Sequence, residues 1–142
     1  MAIFKNILVP VDGSPASMRA VDMAIELSLR DGNKLTLVHV VMPPVDGVSE
    51  KVVEEMRKVG AAALDAAEEK CKRFGQTATK ILKVVQNHRT SIAYEILKVA
   101  VDGRYDCVIL GSRGYAGERG LLMGSVGVSL AISLPCTTII VR

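Results

Sequence analysis

The chain predicts an α/β fold: a three-layer, open, twisted parallel sheet of five strands in the order 3-2-1-4-5, forming one domain over residues 1–142. Three observations predict it. Five apolar runs alternate with four helical patterns along the sequence, and such alternation yields a parallel sheet with right-handed crossovers. The first, second and fourth runs are almost continuously apolar, as expected of central strands covered on both faces. A glycine-punctuated stretch joins the fourth run to the last helical pattern, and a strand that feeds a helix N-terminus through glycines is a common way to hold phosphate.

Each element follows from local chemistry. Residues 6–11 form the first run. Ser14-Pro15 then supplies an N-cap and a proline at the first helical position, and the helix runs to about Arg30 and stops at Asp31-Gly32. Residues 35–41 are the second strand. Val52, Met56, Val59, Ala63, Ala67 and Cys71 recur at steps of three or four, which predicts one buried face of a long helix, closed by Gly75 after Phe74. In residues 80–85 lysines interrupt the apolar pattern, which predicts an edge strand. Thr90 or Ser91 caps a third helix carrying Ile92, Ile96 and Val99, with Gly103 after it. Residues 106–110 are the fourth strand. The last helix runs from about Ser125 to Ser133, Pro135 prevents its continuation, and residues 138–141 form the fifth strand.

Composition narrows the function. A length of 142 residues with 49% hydrophobic residues suits a single well-buried core. Aromatic residues are 4% and tryptophan is absent, which disfavours stacking platforms for single-stranded nucleic acid. The net charge of +3 comes from interspersed residues, 18 basic and 15 acidic, so no nucleic-acid partner is expected. No apolar run approaches the ~20 residues of a membrane helix, and no signal segment precedes the first strand. The expectation is a cytoplasmic chain without a membrane partner. Cys71, Cys107 and Cys136 lack paired or metal-ligand spacing and read as buried free thiols. His39, inside a run of Leu and Val, reads as a satisfied core histidine. His88 reads as a solvent-exposed loop residue. No hydrolase order, paired carboxylates or HExxH stretch occurs, so no catalytic residue is assigned.

In the order 3-2-1-4-5 the switch point lies between strands one and four, where ligands of such sheets bind. Two loops meet there. The first is Pro10-Val11-Asp12-Gly13-Ser14. The second runs from Gly111-Ser112-Arg113-Gly114, through nine residues, to Gly124-Ser125. Gly111, Gly114 and Gly124 can take positive φ and admit a ligand to the backbone. Ser125 offers a hydroxyl, and the amides of Ser125 and Val126 point outward at a helix start, where the dipole favours anions. Arg113 and Arg119 can neutralise phosphate charge. Asp12 suits a ribose hydroxyl or a divalent ion bound to phosphates; the competing reading is an Asx turn or N-cap partner. Pro10 and Val40 can wall a base, or simply pack at strand ends. Met123 borders Gly124 and can touch a ligand. The stretch is neither a Walker loop nor the dinucleotide fingerprint. A flavin site is disfavoured because only Tyr115 is available to stack.

These residues resemble the universal stress protein family over nearly the whole chain. Lys5 through Ser14, Leu37-Val38-His39-Val40, Asp106 through Gly114, Leu121 through Val126 and Pro135-Cys136-Thr137 all match its pattern. Nucleotide-binding members carry Gly, two residues, Gly, nine residues, then Gly-Ser/Thr, a spacing that Gly111, Gly114, Gly124 and Ser125 fit. The resemblance implies a Rossmann-like sheet of the adenine nucleotide alpha hydrolase-like kind, and ATP as ligand with Mg²⁺ or Mn²⁺. Pro10, Asp12 and Val40 would border adenine and ribose, while Gly111, Gly114, Gly124, Ser125 and Val126 would hold ribose and phosphates. It also implies a homodimer joined through Thr137–Val141, which removes an exposed apolar edge. One departure stands out: Thr90-Ser91-Ile92 occupies the place of a Gly-x-Pro turn common in the family. The implied function is regulatory nucleotide binding in the stress response, with weak ATPase activity at most. The alternatives are a metal-dependent ATPase or nucleotidyl-transfer enzyme, and a dimeric interaction module in which ATP, AMP or cyclic AMP is structural.

Overall fold

Five strands and four helices alternate along the chain in a computed structural model that describes residues 2–43, 48–86, 89–113 and 124–142. In order these are β1 Asn6–Pro10, α1 Pro15–Asp31, β2 Lys34–Val41, α2 Glu50–Arg73, β3 Ala78–Val84, α3 Ile92–Asp102, β4 Cys107–Gly111, α4 Ser125–Ser133 and β5 Thr137–Val141. The sheet is parallel throughout, in the order β3-β2-β1-β4-β5. It is the predicted topology, with the lysine-bearing β3 at one edge and β5 at the other.

Two apolar clusters sandwich the sheet because side chains alternate along each strand. On one face Ile7, Val9, Leu37, Cys107 and Ile109 meet Val21, Ala24 and Ile25 of α1 and Leu64, Ala67 and Cys71 of α2. On the other, Leu8, Val38, Val40, Val108 and Leu110 meet Ile96 and Ala100 of α3 and Leu130 of α4. Asp106 accepts the amides of Lys5 and Asn6 at 2.8 and 3.0 Å, closing the amino end of the sheet. All three cysteines are free: Cys71 and Cys107 are buried and Cys136 is half-buried. Burial pushes the Cys107 thiol up to about 12. Among the described residues no helix is long and apolar enough to cross a membrane.

The helix ends follow the expected caps. Ser14, Ser49 and Ser91 each accept an amide of the first turn of α1, α2 and α3. Gly32 closes α1 at φ 70°, a left-handed position that glycine takes without strain. The long helix differs from its predicted face. Ala67 and Cys71 are buried as expected, but Gly60 and Leu64 complete the stripe, while Val52 and Val59 are 43% and 67% exposed. The cause is overhang. Gly60 faces His39, two residues before the end of β2. The ten residues of α2 ahead of Gly60, ~15 Å of helix, therefore run past the carboxyl ends of the strands and have little sheet to cover.

Candidate functional site

The carboxyl ends of β1 and β4 stand side by side, and the chain leaves both through polar loops. After β1, the Val11 amide donates to the Val38 carbonyl at 2.8 Å, and Val11 turns its side chain into the core. Only its backbone is left to meet a ligand. Asp12 is half-buried; its Oδ1 accepts the Ser14 amide at 2.9 Å. That is the Asx turn, and it occupies one oxygen of the carboxylate. Gly13 turns the chain at φ 81°. Ser14 caps α1 by accepting the Ser17 amide at 3.2 Å, and the Ser17 hydroxyl returns a hydrogen bond to the Ser14 carbonyl at 3.0 Å.

The loop after β4 is tied to this one. The Ser14 hydroxyl reaches the Arg113 carbonyl at 3.5 Å, so the two loops touch across the switch point. Ser112 donates its amide to Val141 at 2.7 Å, and its carbonyl accepts the Gly124 amide at 2.6 Å. The start of α4 is therefore held against the end of β4. Gly114, Met123 and Arg119, all expected to serve this site, lie outside the described residues, as do His88 and Tyr115.

Two glycines do not take the positive φ that the sequence left open to them. Gly111 is not among the residues with positive φ. A Cβ there would lie 2.5 Å from the Ala16 carbonyl carbon and 2.7 Å from the Ser17 nitrogen. The residue lets the first turn of α1 pack directly on β4, and those backbone atoms cannot step aside for a side chain. Gly124 has φ −75° and ψ 167°, an extended conformation open to any residue. It is the N-cap of α4, and no side chain caps that helix. Of the flanking candidates, Val40 is buried in the second cluster and Val126 packs against it, whereas Pro10 is half-buried and Ser125 and Arg113 are exposed.

At the far side of the same end, Glu95 is 4% exposed. It pairs with Lys83 at 2.7 Å and Lys98 at 3.0 Å and accepts from the Thr90 hydroxyl at 2.8 Å. Lys83 first, then Lys98 and Thr90, hold its carboxyl at about 2, against the burial that pushes the other way. Lys83 is the register partner of Val40. The cluster thus fixes the Thr90-Ser91 segment beside the strand that carries Val40. Composition alone did not single out Glu95; a lone acid between apolar positions of a helix, opposite a lysine-bearing strand, was the available signal.

Among the described residues no group of three His, Cys, Asp or Glu could hold a metal ion. Asp12 gives one carboxylate oxygen to the Ser14 amide, and a carboxylate is a ligand type for hard divalent cations.

Comparison with known proteins agrees with the geometry. A family model described as "Universal stress protein family" matches residues 3–142. The chain is 28% identical over 153 residues to universal stress protein YxiE of Bacillus subtilis, covering 99% of this chain and 100% of that one. Universal stress protein UspA from Lactobacillus plantarum superposes with a TM-score of 0.84 at 23% identity, over 100% of both chains. A universal stress protein solved in complex with cAMP superposes at 0.76 with 25% identity, over 100% of this chain and 99% of that one. Two more distant structures, from Archaeoglobus fulgidus with dAMP and from Arabidopsis thaliana with AMP, superpose at 0.70 and 0.67 with 17% and 20% identity. The first covers 100% of both chains; the second covers 96% of this chain and 90% of that one.

Proposed function

The chain belongs to the universal stress protein family, and we propose that it is an ATP-binding regulatory member, acting in the cytoplasm as a homodimer, with little or slow hydrolysis. The observation that carries the reading is the contact between the end of β4 and the start of α4. The sequence has the spacing Gly111, Gly114, Gly124-Ser125, and the Gly124 amide bonded to Ser112 at 2.6 Å brings both ends of that spacing together. The first-turn amides of α4 have no carbonyl partner within their own helix and no side-chain cap, which suits them to phosphate oxygens.

In this reading Ser125, Val126 and the glycines hold the phosphates, Arg113 offsets their charge, and the base rests near Pro10, Val40 and Met123. The Val11-Asp12 turn meets the ribose, with Mg²⁺ or Mn²⁺ brought in on the phosphates beside Asp12. The metal would spread phosphate charge. The dimer would join through β5, whose outer side has no strand partner among the described residues. The complex with cAMP of a relative at 25% identity favours a second reading, in which cyclic AMP is the ligand.

Calorimetric titration with ATP, AMP and cyclic AMP, each with and without Mg²⁺, decides between them. ATP is expected to bind most tightly and to gain from Mg²⁺. Tighter binding of cyclic AMP selects the second reading, and no heat with any nucleotide ends both.

A further inference from the structure

His39 projects from β2 toward α2, with Nδ1 2.7 Å from the Val11 carbonyl. A carbonyl only accepts, so Nδ1 carries the hydrogen and donates. β1 ends at Pro10, one residue earlier, so a side chain takes over where the strand ladder stops. Both backbone groups of Val11 are then fixed by β2: its amide by the Val38 carbonyl at 2.8 Å, its carbonyl by the imidazole.

The other side of the ring rests on Gly60. A Cβ at that position would lie 2.4 Å from Cδ2 and 2.8 Å from Nε2. Glycine inside a helix weakens it relative to alanine, so a mid-helix glycine on the buried stripe of α2 answers a need for space. The need is the imidazole. Ring and glycine form a wedge that presses α2 on one side and holds the Val11 carbonyl on the other.

We infer that His39 is a positioning residue for ligand recognition: seated on Gly60, it sets the direction in which the chain leaves β1 and hence where Asp12 stands. This rests on the nucleotide reading of the crevice. Asp12 follows the clamped carbonyl directly, and the turn it closes on Ser14 carries the link to Arg113. A rotation at Val11 would move the carboxylate and loosen both loops at once, without changing any ligand-touching side chain.

The test uses His39→Leu, His39→Asn, Gly60→Ala and the double variant of the first and last, each measured for MgATP binding and thermal unfolding. The side-chain amide of asparagine can stand where Nδ1–H stands, so His39→Asn is expected to keep Kd within about twofold, whereas His39→Leu raises it about five- to tenfold, the worth of one hydrogen bond. Gly60→Ala is expected to raise Kd similarly by displacing the ring. The same change is expected to add no further loss of affinity in the His39→Leu background, where the Nδ1–H bond it acts through is already gone. Long-range ¹H–¹⁵N spectra of the wild type are expected to show the Nδ1–H tautomer.

Equal binding by wild type and His39→Leu, or an Nε2–H tautomer, overturns the inference, as does a further rise in Kd when Gly60→Ala is added to His39→Leu. If His39→Leu does not fold, Gly60→Ala still decides: binding equal to the wild type overturns the inference. If the wild type binds no nucleotide, the reading of the crevice fails separately. The clamp is then judged by the tautomer and by the amide shifts of Asp12 to Ser14, expected to move in Gly60→Ala and His39→Leu but not in His39→Asn; shifts that stay put overturn it.

Discussion

A carboxylate as deeply buried as Glu95 stays charged only because partners replace the water it has lost. Lys83, Lys98 and Thr90 are those partners, and they lower its pKa from 4.5 to about 2. The sign follows. A group depressed in the folded state adds stability that is complete above its unfolded pKa and is lost as pH falls through the folded value. Glu95 therefore stabilises the fold fully above about 4.5 and progressively less from there down to about 2. In melts at stepped pH, the gap in Tm between wild type and Glu95→Gln is expected to be widest near neutrality and to close across that window; a gap that does not vary with pH would contradict the assignment. His39 and Gly111 show what single residues conceal. The apolar neighbours of His39 in the sequence predict a satisfied core histidine; its Nδ1 is bonded to Val11, but the residue is half-buried rather than in the core. They carry no sign of which carbonyl it serves, because that partner lies 28 residues away in the chain. Gly111 reads as a glycine for ligand approach, whereas its close neighbours are Ala16 and Ser17 of α1. A glycine kept for φ and one kept for close packing are the same letter.

Helix boundaries were legible because caps are local. Ser14-Pro15 and Asp31-Gly32 bracket α1 through hydrogen bonds between near neighbours, which is all a cap requires. The buried face of α2 was not legible in its first turns, because it depends on how far the sheet extends beneath it and on the ring that Gly60 accommodates. The contrast between serine-capped helices and glycine-capped α4 yields a paired prediction. Ser91→Ala removes the acceptor 3.0 Å from the Tyr94 amide and is expected to cost about 1 kcal/mol of stability, with nucleotide affinity unchanged. Ser125 is exposed and caps nothing within its own helix. Ser125→Ala is expected to leave the melt unchanged while weakening ATP binding about tenfold or more, through one lost hydrogen bond to phosphate worth about 1.5 kcal/mol or more. Urea unfolding and calorimetry on the two variants separate a cap from a ligand contact; if Ser125→Ala binds ATP like the wild type, its hydroxyl has no place in the phosphate site.

The molecule is unevenly built from end to end and from centre to edge. Ile7, Leu8, Val9, Leu37, Val38, Cys107, Val108 and Ile109 are essentially inaccessible, so β1, β2 and β4 should open only with global unfolding. β3 and β5 are edges with half-buried residues and should exchange through smaller openings. Two perturbations then separate in space. A nucleotide that binds only the folded chain would stabilise it, and its added protection is expected at 11–14, 111–113 and 124–128, the carboxyl-end loops and the start of α4. The amino end, where Asp106 holds Lys5 and Asn6, should not respond. Association through β5 would instead slow exchange in Thr137–Val141 whether or not nucleotide is present, because a second strand would take the outer amides. Hydrogen exchange with and without MgATP, read beside sedimentation, distinguishes these outcomes. A sedimenting mass of twice 15.2 kDa with a protected β5 supports the dimer. A mass of 15.2 kDa with fast-exchanging β5 amides removes it and leaves the nucleotide prediction standing, since the crevice is built from one chain: β1, β4 and α4 supply its backbone, and α2, through His39, holds its position.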